Sequence, residues 1–155
     1  MSNKKNILFV CTGNICRSPS AEAITRKKLH SRNLADRIYL DSAATHAAHI
    51  GELPDHRAIA EGEMRDIDFS NIYARQVEID DFYEFDLILA MTNRHLTYLK
   101  SVAPLDSKAE IELYLKYVDY PHASEVDDPY YGPANNFTVM FDLLDEAAKL
   151  LLNKF

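Results

Sequence analysis

Residues 7–19 decide the fold of this chain, and they read ILFVCTGNICRSP. The apolar run 7–10 predicts a buried strand, and Ser18 before a proline is typical of a helix N-cap followed by the first helical residue. Between them lies a short loop with Gly13 and Asn14, two residue types that adopt positive φ more readily than most. A strand, a tight loop and a helix N-terminus in this order can bind an anion, because the loop amide groups converge on it. The stretch therefore predicts a phosphate-binding loop.

Two side chains of this loop carry the predicted chemistry. Cys11 would lie at the base of the loop, where a helix N-terminus and a nearby arginine favour the thiolate, the nucleophilic form of cysteine. Arg17 closes the loop and offers a planar fork of donors for two oxygens of one phosphate. A purely structural role for Cys11, as a small buried residue, would leave the conspicuous residues around it unexplained. The other predicted phosphate-binding residues are Thr12, Gly13, Asn14, Ile15, Cys16 and Ser18, the last with its hydroxyl directed at the sulfur.

A second string and several short landmarks accompany the loop. The strings CTGNICRSPSAE at residues 11–22 and DPYYG at residues 128–132 resemble the low-molecular-weight protein tyrosine phosphatases, and the resemblance covers nearly the whole chain. The landmarks between them match in order: DSA at 41–43, HxG at 49–51, PDxRA at 54–58, ARQ at 74–76 and DLILAM at 86–91. The resemblance implies hydrolysis of phosphotyrosine in protein substrates, with inorganic phosphate as the product.

The predicted general acid lies in the longest segment without periodicity, residues 117–134. Hydrolysis of an aryl phosphate needs a proton for the leaving phenolate and then a base for the attacking water, and one carboxyl group can serve both steps. We assign this role to Asp128, because the resemblance implies it for the aspartate of the Asp-Pro-Tyr string; Asp127 is the alternative. The resemblance also implies that Tyr130 and Tyr131 wall the substrate cleft and are themselves phosphorylated.

The predicted mechanism needs neither metal nor cofactor. Cys11 attacks phosphorus in line while Arg17 and the loop amides hold the non-bridging oxygens, and Asp128 protonates the leaving oxygen. The resulting cysteinyl-phosphate is hydrolysed by water that the Asp128 carboxylate activates, so that most of the rate enhancement comes from positioning and fixed electrostatics.

The order of elements predicts the fold. Apolar and amphipathic segments alternate without repeats or linkers, which indicates a single α/β domain over residues 1–155. With right-handed crossovers, we expect a flavodoxin-like three-layer α/β/α fold with a four-stranded parallel sheet in the order 2-1-3-4. The predicted strands are 7–10, 38–40, 87–91 and the segment Ile111-x-Leu113-x-Leu115. The predicted helices are 18–31, 55–65 with an interruption at Gly62, one from Thr92 or Asn93 to the residue before Pro104, and 137–151.

Composition narrows the partners and the setting. The 155 residues carry a formal net charge of −7, which argues against nucleic acid or an anionic membrane as the partner. Residues 1–6 are polar, so we expect no signal peptide, and two cysteines five positions apart are consistent with a reducing compartment and with no zinc site. We therefore expect a cytoplasmic monomer.

Four positions depart from the family pattern. Ile72 replaces a histidine that would bind the Asn14 side chain, so a looser loop network is expected; the resemblance implies Ser42 as another partner of Asn14. Ala44 and Thr92 replace a usual glycine and aspartate, without an evident physical reason. Ala48, next to His49 in the predicted substrate cleft, replaces a tryptophan or tyrosine wall, for which Tyr130, Tyr131 or His46 could substitute.

Three other functions fit parts of the pattern. Arsenate reductases of this fold need a downstream cysteine pair, and this chain has no cysteine after Cys16. A non-catalytic anion-binding module would leave the thiol, arginine and acid without a common role. A phosphoarginine phosphatase of this family tends to carry threonine at the position of Ile15, whose apolar side chain suits an aromatic ring instead.

Cys16 has a predicted redox role. It lies in the same tight loop as Cys11, so its sulfur could come within disulfide distance. A reactive thiolate is oxidised first to a sulfenic acid, which a neighbouring thiol converts to a disulfide before irreversible oxidation. Cys16 is therefore the expected redox partner of Cys11.

Overall fold

The structure is a computed structural model that describes residues 4–155, and its centre is a four-stranded parallel sheet. The strands are β1 (Lys5–Cys11), β2 (Ile38–Ala44), β3 (Leu87–Ala90) and β4 (Glu110–Leu113). They lie in the order β2-β1-β3-β4, with β1 paired to both β2 and β3. This order confirms the predicted 2-1-3-4 sheet.

Six helices connect and cover the strands. They are α1 (Arg17–Ser31), α2 (His56–Met64), α3 (Asp81–Glu84), α4 (Asn93–Val102), α5 (Tyr114–Tyr117) and α6 (Asn135–Leu152). Alternate residues of β1 belong to two separate cores: Ile7 and Phe9 pack with α1 and α6, whereas Leu8 and Val10 pack with α3 and α4. The sheet is thus buried on both faces, as expected for parallel strands with helical crossovers, and the three-layer prediction is confirmed.

The carboxyl ends of the strands gather the loops that carry chemistry. β1 ends at Cys11, which pairs with Ala44 at the end of β2. The loop before α6 is held at the same edge, because the backbone N–H of Val126 donates to the carbonyl of Met91 just after β3, at 2.9 Å. Ligands of open α/β sheets bind at this edge, in the crevice beside the strand where the order reverses.

Several predicted boundaries need correction. Ser18 is not the N-cap of α1: the helix begins at Arg17 after Cys16, and the Ser18 hydroxyl is held by two other side chains. Leu115 lies in α5 rather than in the fourth strand, since β4 ends at Leu113. Gly62 does not interrupt α2; a Cβ there would lie 2.7 Å from a ring carbon of Phe69, so the glycine allows close packing.

Two further observations concern membrane-spanning segments and the predicted absence of a signal peptide. Within residues 4–155, no helix is long and apolar enough to cross a membrane. The prediction about a signal peptide involves residues 1–3, which lie outside the described part of the chain.

Candidate active site

The loop between β1 and α1 is held by backbone hydrogen bonds from two neighbouring segments. The N–H groups of Thr45 and His46 donate to the carbonyls of Cys11 and Thr12 at 2.9 and 3.0 Å. The N–H of Asp55, before α2, donates to the carbonyl of Ile15 at 2.8 Å. These bonds fix the carbonyls on the outside of the loop, which leaves the loop amides free to face an anion at the N-terminus of α1.

The Cys11 thiol lies at the base of this loop and has one close polar neighbour. Its Sγ is 3.0 Å from the Ser18 Oγ, and both side chains are buried. Asn14 Nδ2 donates to the same Ser18 oxygen at 2.8 Å, so the Ser18 hydrogen is free to point at the sulfur. Ser18 can therefore donate to a Cys11 thiolate, which stabilises the sulfur both as nucleophile and as leaving group.

Asn14 holds the loop in a backbone conformation that few residues adopt. Its φ is 57°, in the left-handed region, and its side chain is fully buried. Its amide also donates to the Ser42 Oγ at 3.0 Å, and its carbonyl accepts from the backbone N–H of Arg75 at 3.1 Å. Both donors and the acceptor are thus paired although residue 72 is not a histidine, because the main chain at Arg75 supplies a partner; a looser loop stays a prediction. Ile72 itself packs in the core.

The network continues from Ser42 into α1. The Ser42 hydroxyl donates to Glu22 Oε1 at 2.6 Å, and Glu22 also pairs with Arg26 one turn later in the helix. Burial raises the pKa of Glu22, and the hydrogen bond from Ser42 opposes that rise. The left-handed loop residue is in this way tied to the middle of the helix that follows it.

The Arg17 guanidinium joins the loop to the acid segment. Its Nη1 donates to the carbonyl of Val126 at 3.1 Å, and its Nη2 donates to the Thr12 Oγ1 at 3.3 Å. The same Nη2 lies 3.8 Å from Asp128 Oδ2. Arg17 is only 5% exposed, so its charge lies inside the site between the nucleophile and the predicted acid.

One cleft brings together the predicted catalytic and substrate residues. Its lining consists of Cys11, Thr12, Gly13, Ile15, Cys16, Arg17, His46, Ala48, His49, Asp128, Tyr130 and Tyr131. Asn14 and Ser18 lie buried beneath the loop and act on it from below. Asp127 is absent from this lining and faces a neighbouring cleft beside α6. The geometry therefore favours Asp128 over Asp127 as the acid.

Two histidines and two tyrosines surround the mouth of the cleft. His49 lies against the loop, since a Cβ on Gly13 would be 2.8 Å from His49 Cδ2. Ala48 is exposed and contributes no ring, and His46 also lines the cleft. The Tyr130 and Tyr131 rings, which line the same cleft, meet edge to face with centroids 4.9 Å apart. The cleft lining thus carries both phenol and imidazole rings.

Cys16 is buried and distinct from Cys11 in its environment. Burial raises the pKa of the Cys16 thiol, and the negative charge of Asp55 adds to the effect. Both cysteines are free in this structure. The redox role of Cys16 remains a prediction, in which Cys16 is a neutral thiol that attacks an oxidised Cys11.

Sequence reasoning missed one residue of the site, His95. It lies in the first turn of α4, is 1% exposed, and its Nε2 is 2.7 Å from the Thr12 Oγ1. Thr92 caps the same helix, and its hydroxyl, unlike the carboxylate of an aspartate, can also donate to His95 Nδ1, 3.1 Å away. His95 stands three positions after the cap, at the N3 position of a capping box, and this spacing was the available signal. For Ala44 the structure gives no specific reason beyond its place at the end of β2.

No group of three or more metal-ligating side chains that could hold a metal ion occurs within residues 4–155. The residues that converge on the cleft are instead a thiol, a guanidinium, a carboxyl group and backbone amides. A thiol can accept a phosphoryl group covalently, a carboxyl group can transfer a proton, and a guanidinium with backbone amides can bind the phosphoryl oxygens.

Comparison with known proteins gives consistent matches. The family model described as low molecular weight phosphotyrosine protein phosphatase matches residues 6–155. The low molecular weight phosphotyrosine protein phosphatase of Gallus gallus is 41% identical over 152 residues, covering 97% of this chain and 95% of that protein. A protein tyrosine phosphatase from Entamoeba histolytica has a crystal structure with a TM-score of 0.91 at 36% identity, covering 97% and 96% of the two chains. The crystal structure of a drosophila arginine phosphatase gives a TM-score of 0.87 at 31% identity, covering 96% of each chain.

Proposed function

Since this chain belongs to the low molecular weight phosphotyrosine protein phosphatase family and is a protein-tyrosine phosphatase, we propose that Cys11, Arg17 and Asp128 carry out its reaction. The observation that carries this assignment is their convergence in one cleft. The Cys11 sulfur lies beside a hydroxyl donor, and Arg17 lies 3.8 Å from Asp128 across the same cleft.

In the first step Cys11 is the nucleophile. Its thiolate forms a bond to phosphorus while the bond from phosphorus to the tyrosine oxygen breaks. Asp128 gives its proton to that oxygen, so the product leaves as a neutral phenol. Arg17 and the loop amides neutralise the charge on the three non-bridging oxygens, which are held where the negative charge lies in the transition state.

In the second step the cysteinyl-phosphate is hydrolysed. Asp128, now a carboxylate, accepts a proton from water as the water oxygen attacks phosphorus. The sulfur leaves as a thiolate, which the Ser18 hydroxyl stabilises at 3.0 Å, and inorganic phosphate departs. The enzyme returns to its starting protonation state, with Asp128 again protonated.

The walls of the cleft support phosphotyrosine as the substrate. Ile15 presents an apolar side chain at the loop, and Tyr130 and Tyr131 offer ring surfaces against which a phenyl group can pack. We further propose that the enzyme acts as a cytoplasmic monomer on phosphotyrosine-containing proteins. The free thiols of Cys11 and Cys16, which a reducing compartment preserves, support this setting.

The experiment compares phosphotyrosine and phosphoarginine peptides of otherwise identical sequence. We expect the phosphotyrosine peptide to be the better substrate by kcat/KM. The Cys11→Ser variant should lose all hydrolysis yet retain phosphotyrosine binding, and it can then capture substrates. A preference for phosphoarginine would assign this chain the activity named for its drosophila neighbour, and an absence of hydrolysis in the wild-type protein would indicate a non-catalytic anion-binding module.

A further inference from the structure

The starting point is the ring of His95, which connects α4 to the phosphate-binding loop. On one side its Nδ1 is 3.2 Å from the backbone nitrogen of Thr92, and on the other its Nε2 is 2.7 Å from the Thr12 Oγ1. The ring is 1% exposed, so solvent supplies no alternative partners. Both ring nitrogens are therefore committed to protein groups.

These contacts fix the tautomer of His95. A backbone N–H can only donate, so Nδ1 must be the acceptor and the ring proton must be on Nε2. The Thr92 hydroxyl, 3.1 Å from Nδ1, can donate to the same nitrogen. The ring stays neutral, because burial lowers the pKa of His95 to about 3, and the nearby Arg17, His46 and Arg94 act in the same direction. Nε2–H therefore donates to the Thr12 oxygen.

The tautomer in turn sets the direction of the Thr12 hydroxyl hydrogen. The Thr12 oxygen accepts from His95 and also from Arg17 Nη2 at 3.3 Å, which fills both lone pairs. The hydrogen must then point away from both donors. His95 is buried and is not part of the cleft lining, whereas Thr12 and Arg17 both line the cleft, so the direction away from His95 leads toward the cleft beside Arg17.

We propose that Thr12 binds the substrate through its side chain, with its hydroxyl donating to a non-bridging phosphoryl oxygen beside Arg17, and that His95 is the positioning residue that directs this hydroxyl. The proposal deepens the phosphatase function and rests on it for its effect on turnover. With the opposite tautomer, the Thr12 hydroxyl would donate to His95 and could not reach the phosphoryl group. The donor is neutral, so it adds a directional bond to the phosphate without adding charge next to Arg17.

Two matched pairs of variants test the proposal. In His95→Asn, the side-chain amide oxygen can replace Nδ1 as the acceptor from Thr92, but the side chain is too short to reach Thr12. In His95→Gln, the side-chain amide nitrogen lies about where Nε2 lies and can donate to Thr12. Thr12→Val removes the hydroxyl and keeps the shape, whereas Thr12→Ser keeps the hydroxyl. His56→Asn, at an exposed histidine outside the cleft, is the control and should change nothing.

The first measurement is the dissociation constant of inorganic phosphate by calorimetry, together with kcat/KM for an aryl phosphate. One lost hydrogen bond to an anion weakens binding by roughly tenfold, so we expect about that loss in His95→Asn and Thr12→Val. The conservative variants should stay within about threefold of the wild type on the same scale. The double variant Thr12→Val/His95→Asn should be no weaker than Thr12→Val, because His95 acts through Thr12. Losses that multiply, or equal losses in the conservative variants, would overturn the proposal.

The second measurement is nitrogen NMR of the histidine rings in the wild-type protein, which needs no turnover and no variant. We expect His95 to carry its proton on Nε2 between about pH 5 and 8, because its pKa lies well below this range. A proton on Nδ1 would overturn the proposal even if the phosphatase assignment holds. The opposite result is also distinguishable. If the tautomer and the phosphate affinities are as expected but the protein hydrolyses no aryl phosphate, the proposed function is wrong and the Thr12 interaction with phosphate still stands.

Discussion

Arg57 Nη1 donates to the backbone carbonyl of Tyr130 at 3.1 Å, and the same guanidinium lies 5.2 Å from the centre of the Tyr130 ring. Arg57 is held in turn by Asp55, the N-cap of α2, at 2.9 Å. The contact joins α2 to the segment that carries Asp128, two residues before Tyr130. Arg57 therefore links the N-terminus of α2, which borders the phosphate-binding loop, to the segment that carries Asp128.

Arg57→Lys should weaken this link between α2 and the segment that carries Asp128. Lysine keeps the charge but loses the fork, so one hydrogen bond and part of the ring contact disappear, and we expect kcat/KM for phenyl phosphate to fall about two- to tenfold. The kcat/KM of activated aryl phosphates, whose leaving groups need no proton from the acid, should be little affected. Steady-state kinetics with both substrates test this. Arg32→Lys, at an exposed arginine that binds Asn153, is the control; equal losses for both substrates would contradict a role through the acid.

Asp128→Asn should slow substrates with basic leaving groups far more than activated ones. General acid catalysis contributes about 10²- to 10⁴-fold, so losses in this range are expected for phenyl phosphate. Asp127→Asn is the matched control, since Asp127 faces a different cleft, and its kinetics should be unchanged. A plot of kcat/KM against leaving-group basicity makes the comparison, because kcat/KM excludes the hydrolysis of the cysteinyl-phosphate that all substrates share. If the two variants exchange these behaviours, Asp127 is the acid.

Cys16→Ser should make oxidative inactivation irreversible. In the native protein, peroxide converts Cys11 to a sulfenic acid, Cys16 displaces water from it to form a disulfide, and a dithiol restores both thiols. Without Cys16 the sulfenic acid is oxidised further. The measurement is the activity recovered with dithiothreitol after peroxide treatment, and equal recovery in both proteins would show that Cys16 does not protect Cys11.

Ala48→Trp should add the missing ring to the cleft wall. A ring stacked on the substrate contributes ~0.5–1.5 kcal/mol beyond its buried area, so the ratio of kcat/KM for phosphotyrosine over a small alkyl phosphate should rise about two- to tenfold. The kcat for an activated aryl phosphate should change little. Ala48→Leu controls for added bulk without a ring. An unchanged ratio would mean that His46 and His49 already close this wall.

Glu22→Gln should change how stability depends on pH. The pKa of Glu22 is raised in the folded state from its ordinary value of 4.5, so the folded protein binds this proton more tightly than the unfolded chain. The associated stability is fully present below pH 4.5 and is lost as the pH rises through the raised pKa. In Glu22→Gln this decline should disappear. Urea unfolding at a series of pH values tests it, and an unchanged pH profile would contradict it.

The sequence was sufficient for the fold, and for proposing Cys11 and Arg17 as site residues, because both depend on local patterns. The apolar runs identify the sheet, and the loop string is specific. Asp128 could be selected over Asp127 only through the resemblance, and the cleft lining supports that choice.

What the sequence could not supply depends on contacts between distant segments. The Arg75 backbone that completes the Asn14 network is 61 residues away, and His95 is 83 residues from Thr12. The sequence predicts a fourth strand that extends to Leu115, because Leu115 continues the alternation of apolar residues. In the structure Leu115 belongs to the short helix α5, and its side chain is buried in the core. A Ser-Pro pair predicts an N-cap at Ser18 from local preference alone, and the bonds of Ser18 to Cys11 and Asn14 override that preference.

The chain of bonds from Asn14 through Ser42 to Glu22 has a consequence for how the site opens. It ties the phosphate-binding loop to α1, which packs on α6 at the other end of the chain, so the loop should keep its shape for as long as the packing of α1 on α6 is intact. The acid segment is anchored at fewer points, at Val126 and Tyr130, and can open by itself at lower cost. The nucleophile and the acid thus belong to units of different local stability, which lets a bulky protein substrate displace the acid segment while the anion cup keeps its shape.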